Sequence, residues 1–584
     1  MLYDDLALVY EKVESTSGNL AKIELFSELL KQAEPSELGM IMALTIGKLH
    51  PDWKGEPEIG IAEKMAAQVI ATAASVSESS VNKKLEQLGD IGLVAENLLS
   101  ESAQASLFSE TPTVEYVYKS LDETAKIEGQ GSNKLKVSKL SGLLTEVTPL
   151  GARYILRTVT GDLRLGLGVM MIIESLSLAF TGTRDNKSDI ENAFNLNSDL
   201  GEIAQCLAEG GMDAIKSTHV QVGRPIRMMA AKKLSDATEI LEKAGNRALV
   251  EYKYDGERVQ IHKDGAKVSL FSRRHEEISS QYPDVIEYVL ENVEASKCVL
   301  EAECVAIDPD SGKLRPFQEL MRRRRKTDID KMVKEVPTSL FFFDILFLEG
   351  KDVTNLPMLE RRRLLEKIVK QSDRVSLTAG EVVDDPERLD NIFMESIDQG
   401  LEGVIAKAVH ENSIYQAGSR SWLWIKLKAS YKEGMSDSID VVVVGAMHGR
   451  GKRSGVYGAI LASAYDVESD SYPTVCKIGT GFTDEMLSEF KERLEVHRTK
   501  IKDSKIVSDI EADVWFEPVE VIEVLGDEIT ISPTHPAARG IVSEGGLAIR
   551  FPRFTGRWRE DKGPTQATTV DELVEMFERQ RART

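Results

Sequence analysis

The chain is poor in cysteine, with only Cys206, Cys298, Cys304 and Cys476 in 584 residues. They form no CxxC pair and no zinc-type spacing. That sets aside a disulfide scaffold and a cysteine zinc site, and points to free thiols in a reducing compartment. Long apolar runs are missing as well. No stretch reaches the ~18 residues a membrane helix needs, so no transmembrane span is expected. The opening Met1-Leu2-Tyr3-Asp4-Asp5 is acidic where a signal peptide would be basic, and an intracellular protein is expected. Positive charge is in deficit, with 73 Lys and Arg against 95 Asp and Glu, a formal net charge of −22. An acidic surface repels phosphate, so a nucleic-acid enzyme of this composition must gather its cations into patches.

The length suggests roughly three domains. Residues 1–218 read as helical, with apolar residues three and four apart in Leu25-Leu29-Leu30 and Ile61-Met65-Val69-Ile70. Val222-Gly223-Arg224-Pro225-Ile226-Arg227 then breaks the pattern and reads as an extended linker. Residues 219–430 mix strands and helices. Arg247–Tyr254, Val268–Phe271, Val299–Ile307 and Ser339–Leu348 read as strands, Leu359–Lys370 and Pro386–Asp398 as helices, which gives an α+β domain. Residues 431–584 carry Val441-Val442-Val443-Val444, Gly458–Ala462 and Val519–Val524 between glycine-rich turns. They read as a small all-β barrel followed by a terminal helix over Val570–Arg579.

Lys253-Tyr254-Asp255-Gly256 closes one of the expected strands. A neutral lysine amine can form a P–N bond with a nucleotide, and burial and nearby cations are expected to depress its pKa. A glycine turn lets backbone approach a phosphate. Four residues of this kind also occur by chance in hairpins, so their weight depends on the order of residues downstream. Arg258 lies just past the turn, and Ser272-Arg273-Arg274 ends the next strand. Glu301-Ala302-Glu303 lies inside a strand, where carboxylates are costly unless paired or metal-bound. Phe341-Phe342-Phe343-Asp344 and Glu402-Gly403-Val404-Ile405-Ala406-Lys407 come next, then Trp422–Lys428, with Lys426 and Lys428 on one strand face. Arg and Lys clamp phosphates, paired carboxylates hold a hard cation, and an aromatic stacks on a base. Each alone also fits a salt bridge, a core phenylalanine or a solvated face.

Taken together, the order and wording resemble the covalent nucleotidyltransferases, which comprise DNA ligases, RNA ligases and capping guanylyltransferases. Glu251–Arg258 followed by Gln260-Ile261-His262 is similar to the archaeal and eukaryotic replicative ATP-dependent DNA ligases. So are Glu402–Lys407 and the segment Arg550–Lys562. The resemblance extends over essentially the whole chain. It implies a helical DNA-binding domain, an adenylation domain and an OB-fold domain, and an enzyme that seals nicks in duplex DNA during replication, repair and recombination.

By that resemblance Lys253 is the residue that carries AMP. Glu251 bonds the adenine amino group, and Phe343 stacks on the adenine. Arg258 and Arg273 lie near ribose and phosphates. Glu303 contacts ribose or metal, and Glu402 binds metal. Lys407, Arg420, Lys426 and Lys428 hold phosphates, while Arg559, Asp561 and Lys562 orient pyrophosphate. Arg274 departs from the asparagine common in eukaryotic members. ATP is implied as cofactor, with magnesium, or manganese in its place. ATP is favoured over NAD because no cysteine set for a zinc finger and no nicotinamide-binding domain are seen.

DNA contact is expected at Arg157, Arg164 and Gly166, where small residues near a helix end leave N–H groups open to phosphate. An ordinary helix-turn-helix in the core is the alternative. Arg322–Lys326 and the loop His448–Gly455 read equally as phosphate contacts or as solvated surface. Gln104–Phe108 resembles the short grip of such enzymes on a sliding clamp. A monomer that encircles nicked DNA is expected, with hinges near residues 218–225 and 429–436. The competing readings are a relative that acts on RNA ends and a DNA-binding scaffold without activity.

Overall fold

The computed structural model describes residues 1–102, 112–161, 163–324, 328–428, 438–449, 455–499 and 501–582. Gln104–Phe108, Arg325, Lys326 and residues 450–454 of the expected basic loop lie outside these. So does the stretch 429–437, which holds the second expected hinge and the boundary between 430 and 431. The chain divides into two compact units, Met1–Ser396 with Leu401–Lys426, and Ile397–Gly400 with Leu427–Thr584.

The first unit opens with α-helices from Tyr3–Ser15 to Leu200–Lys216, packed around one apolar core. The helix Glu63–Ala73 buries Ala66, Ala67, Val69 and Ile70, which is the stripe its sequence spacing calls for. The helix Pro149–Val159 is buried at every residue from Gly151 to Val159. It starts where the Thr148 hydroxyl accepts from the Gly151 N–H and Pro149 takes the first turn.

The linker after these helices is pinned on both sides. Arg224 pairs with Glu202 at 2.6 Å and lies 5.1 Å over Trp53, and the Arg227 N–H donates to the Asn195 carbonyl at 2.8 Å. From the α+β side, Gln260 Oε1 accepts from the Ile226 N–H at 2.7 Å and His262 Nδ1 from the Gly223 N–H at 3.0 Å. The segment expected as a hinge is thus hydrogen-bonded on both sides in this structure.

Two sheets build the α+β part. One contains β1 (Ala248–Lys253), β6 (Gly380–Val383), β7 (Gly403–Ala408) and β8 (Trp424–Lys428), in the order β8-β7-β1-β6 with Lys232–Lys233 outside β8. The other contains β2 (Glu257–Asp264), β3 (Lys267–Phe271), β4 (Lys297–Ala306) and β5 (Thr338–Leu348), in the order β3-β2-β4-β5, with Lys351–Asp352 and Val375–Leu377 pairing the far side of β5. β5 is nearly continuous apolar sequence and is buried on both faces, as a central strand must be. Its one charge, Asp344, is neutralised by the equally buried Arg361 at 2.8 Å.

In the second unit five strands close on themselves. Ile439–His448 pairs with Tyr457–Ser463 and with Val521–Leu525. Tyr457–Ser463 pairs with Tyr472–Ile478, and Val521–Leu525 with Arg553–Trp558. A bridge between Thr480 and Arg553 completes the ring. The first strand bends at Gly445, where a Cβ would stand 2.9 Å from the Ala512 side chain and 3.1 Å from the Val514 carbonyl. The expected barrel and the terminal helix, Val570–Ala582, are both present. No helix of the described residues is long and apolar enough to cross a membrane.

Candidate functional site

Between the two sheets lies a cavity of about 400 Å³. β1 contributes Glu251 and Lys253, two residues apart and so on one strand face. β7 adds Ile405 and Lys407, and β8 adds Trp424 and Lys426. The opposite sheet contributes Arg258, Glu303 and Phe343, and loops bring Arg273, Arg274 and Arg420. Residues spread over 176 positions, from Glu251 to Lys426, thus share one cavity. Lys428, two residues on along β8, is not among its walls.

Lys253 Nζ lies 2.7 Å from Glu402 Oε2. Burial works against its ammonium form, but Glu402, Glu303 and Asp255 outweigh burial and hold the pKa above the ordinary lysine value. The sequence suggested the opposite sign. The groups nearest the amine are carboxylates, not cations. Crowding shows on the acids as well. Burial pushes Glu303 up to about 7, with Glu402 and Asp255 adding to it. Burial, then the hydrogen bond shared with Glu402, push Asp255 up to about 6.

Gly256 lines the cavity, and the packing around it also requires glycine. A Cβ there would stand 2.4 Å from the Cys304 carbonyl oxygen, so glycine is needed for β1 to turn tightly against β4. Asp255 accepts from the Phe317 N–H at 3.0 Å, which ties the turn to the cavity wall.

Arg258 lies over the rings of Phe343 and Trp424, at 5.1 and 5.3 Å. It donates to Glu301 Oε2 and to the Met229 carbonyl, each at 2.7 Å. Glu301, fully buried, is therefore the ion-pair partner in the Glu301-Ala302-Glu303 strand, and Glu303 faces the lysine. Arg258 Nε is buried with no hydrogen-bond partner among the described residues.

Lys407, expected on phosphate, is 1% exposed and committed within the protein. It lies 2.5 Å from Glu251 Oε2 and donates to the Phe343 carbonyl at 3.0 Å. Glu251 Oε1 accepts from Arg362 and from the Thr378 hydroxyl, both at 2.7 Å.

The chain is similar to known proteins along its length. Residues 228–428 match the family model of the ATP dependent DNA ligase domain, residues 2–177 that of the DNA ligase N terminus, and residues 453–562 that of the ATP dependent DNA ligase C terminal region. The DNA ligase of Hyperthermus butylicus is 45% identical over 99% of this chain and 98% of that protein. DNA ligase 2 of Thermofilum pendens is 47% identical with the same coverage. The chain belongs to the ATP-dependent DNA ligases. The DNA ligase of Saccharolobus solfataricus, 43% identical over 99% of this chain and 98% of its own length, is a further relative. A solved structure described as Pmar-Lig_PreS3 shares the fold, with a TM-score of 0.56 at 16% identity over 95% of this chain and 99% of that one.

The ligase's C-terminal motif is gathered in the second unit. Arg559 donates to both oxygens of Asp440, at 2.7 and 2.6 Å, and to Asp561 at 2.9 and 2.8 Å. Lys562 reaches the same Asp440 at 2.7 Å. The sequence reading passed over Asp440. Its signal was a lone acid in a strand of valines, which is costly unless paired. Arg362 was passed over too, as one of three consecutive arginines on a helix.

In the helical part Arg157 is a core residue, 2% exposed. Its guanidinium is taken up by Glu14 at 2.7 Å and Asp90 at 2.8 Å, so the structure gives it an internal pairing role where the sequence suggested an exposed phosphate contact. Arg164, in the left-handed region at φ 58°, also reaches Asp90 at 2.8 Å. Gly166, at φ 61°, lies in the exposed turn before the helix Val169–Thr181, whose first turn has no side-chain cap. Of the Arg322–Lys326 run, Arg323 is buried against Asp284 at 2.7 Å and Arg322 pairs with Glu319 and Glu335.

Proposed function

We propose that this DNA ligase carries AMP on Lys253 and works within the cavity between its two sheets. The observation that carries the reading is the position of Lys253 among Glu402, Glu303, Asp255 and Arg258, groups that can handle both a proton and a phosphate. The amine attacks the α-phosphorus of ATP. A P–N bond forms, the α–β bridging P–O bond breaks, and pyrophosphate leaves. A 5′-phosphate oxygen at the nick then takes the AMP and releases Lys253. Finally the 3′-hydroxyl attacks the phosphorus of the 5′-phosphate, the phosphodiester bond forms, and the P–O bond to AMP breaks so that AMP departs.

Phe343 and Glu251 would hold the adenine. Arg258, Arg273, Arg420 and Lys426 would hold ribose and phosphates. Lys407 would join them by leaving Glu251, and Lys428 by moving from where it now lies. Arg559, Asp561 and Lys562 would orient the departing pyrophosphate.

Among the described residues no three Asp, Glu, His or Cys side chains stand close enough to hold a metal alone. Glu402 and Glu303 are two hard oxygen donors strained by like charge. They suit magnesium or manganese, which take one or two carboxylates and complete the shell with phosphate and water. Such an ion supplies positive charge to the transferring phosphate. For this chain's own residues the need is a neutral Lys253 at attack, and any cation paired with Glu402 relieves the lysine of holding its proton.

The exposed Gly166 and the helix after it, whose first turn has no side-chain cap, support DNA contact there, with Arg164 half-buried beside them. The monomeric state rests on the sequence. The clamp grip at Gln104–Phe108, the three-domain division at 218 and 430, and an intracellular location rest on the sequence.

The test is incubation with α-labelled ATP and magnesium beside Lys253→Ala, followed by nicked duplex DNA. Label on wild type alone, discharged as the nick closes, is the expected result. Label that nicked DNA never discharges would mean another acceptor, and no label would remove Lys253 from the chemistry.

A further inference from the structure

We propose that Arg362 is a positioning residue that sets base selectivity. With Thr378 it fixes Glu251 as an acceptor-only carboxylate, so the cavity takes a purine with an amino group at its six-position and rejects one with a carbonyl there. This rests on the reading of Glu251 as the adenine contact.

Glu251 is 2% exposed, so each of its acceptor sites must be accounted for. An ionised carboxylate offers about four and has no proton to donate. Two lie on Oε1 and are filled by Arg362 and the Thr378 hydroxyl. One on Oε2 faces Lys407. One site on Oε2 remains, and it can accept from an exocyclic amino group but gives nothing to a carbonyl. Gly380 on the adjacent strand makes room for this side chain, since a Cβ there would stand 2.7 Å from Glu251 Cγ, and the hydrogen bonds to Oε1 hold the carboxylate in that place.

Arg362 is itself held rigidly. Its Nη2 donates to the Thr378 carbonyl at 3.0 Å and its Nε to Glu366, one helical turn on, at 2.9 Å. The Thr378 N–H in turn donates to the Phe342 carbonyl at 2.9 Å, beside Phe343. Arg362 is not a wall of the cavity, so its effect passes through Glu251. It also frees Lys407. With two cations on one buried carboxylate, Lys407 can turn towards a phosphate without leaving Glu251 uncompensated.

The test compares lysyl-nucleotide formation from α-labelled ATP and α-labelled inosine triphosphate, which carries the six-carbonyl. Wild type, Arg362→Ala, Arg362→Lys and Glu251→Gln are run in parallel, with an unfolding midpoint for each. Arg362→Ala is expected to raise KM for ATP about tenfold or more, with a much smaller change in kcat, and to shrink the ATP preference by a similar factor. Arg362→Lys should restore part of both. A folded Arg362→Ala that keeps the wild-type preference, or loses both nucleotides equally, overturns the proposal. If Glu251→Gln shifts the preference and Arg362→Ala does not, only this inference fails. If neither shifts it, the base reading of Glu251 fails as well. Should Arg362→Ala not fold, Arg362→Gln, which keeps hydrogen bonding and drops the charge, carries the same outcomes.

Discussion

Lys253 Nζ and Glu402 Oε2 stand 2.7 Å apart, so the proposed nucleophile and a carboxylate suited to metal are bound to each other in the absence of substrate. Each then competes for the other. Glu402 is the largest of the attractions that hold the lysine proton. Glu402→Gln should therefore lower the Lys253 pKa in metal-free enzyme. Labelling of Lys253 by an amine reagent, followed against pH, should shift to lower pH, while lysyl-AMP formation with magnesium falls about a hundredfold. An unshifted labelling curve would show that the pair does not govern the proton.

Glu303 and Asp255, raised to about 7 and about 6, give the site a pH dependence with opposite signs for stability and activity. A carboxyl raised in the fold contributes stability that is full below its unfolded value, 4.5 for Glu303, and lost as pH rises through about 7. Metal-free enzyme should thus lose stability between pH 5 and 8 more steeply than Glu303→Gln does. Magnesium should reverse the loss. Adenylation should run the other way and rise through pH 6 to 7, because metal needs the ionised acids. Melting curves with and without magnesium across this range check both signs.

Much of this was legible in the chain because the family's motifs are short and local. Lys253, Arg258, Glu303, Phe343 and Lys426 each sit on or beside a strand whose alternation could be read, and all of them line the cavity. What could not be read were the pairings. Arg362 meets Glu251 across 111 positions, and Asp440 meets Arg559 across 119. No local pattern announces such partners. The lysine pKa came out with the wrong sign for the same reason, since it depends on which charges the fold brings nearest. Arg157 was misjudged because a buried arginine with two acids looks, in sequence, like any exposed one. The linker at 222–227 has the glycine and proline of a flexible joint, yet Gln260 and Asn195 tie its backbone down.

Arg157 gives a prediction that separates folding from DNA contact. It is buried and bridges Glu14 and Asp90, and both acids are lowered in pKa because the pairing outweighs the opposing cost of burial. Arg157→Ala removes the buried partner the two acids share, leaving Glu14 to Arg153 and Asp90 to Arg164, and should cost about 3 kcal/mol. Because both pKa values are depressed, the pairing's contribution is complete above the ordinary carboxylate range and fades as pH falls below it. The variant's deficit should therefore shrink in acid. A melting point unchanged at neutral pH, together with weakened binding of nicked DNA, would return Arg157 to the DNA surface.

Asp440 offers a way to assign the C-terminal motif to one chemical step. It is 5% exposed and takes three hydrogen bonds, two from Arg559 and one from Lys562. Asp561, the other partner of Arg559, is exposed and pairs from the solvent side. Asp440→Asn keeps the size of the side chain and the backbone pairing of its strand with Val521–Leu525. It removes only the charge that holds the two cations together. If these cations orient pyrophosphate, lysyl-AMP formation from ATP should slow about tenfold to a hundredfold. Closure of a nick already carrying AMP should stay within about twofold of wild type, since no pyrophosphate is involved in it. Measuring the two steps separately is decisive because a weakened barrel would slow both. Equal losses would make Asp440 a strut of the barrel. Loss of neither would show that Arg559 and Lys562 keep their places without it.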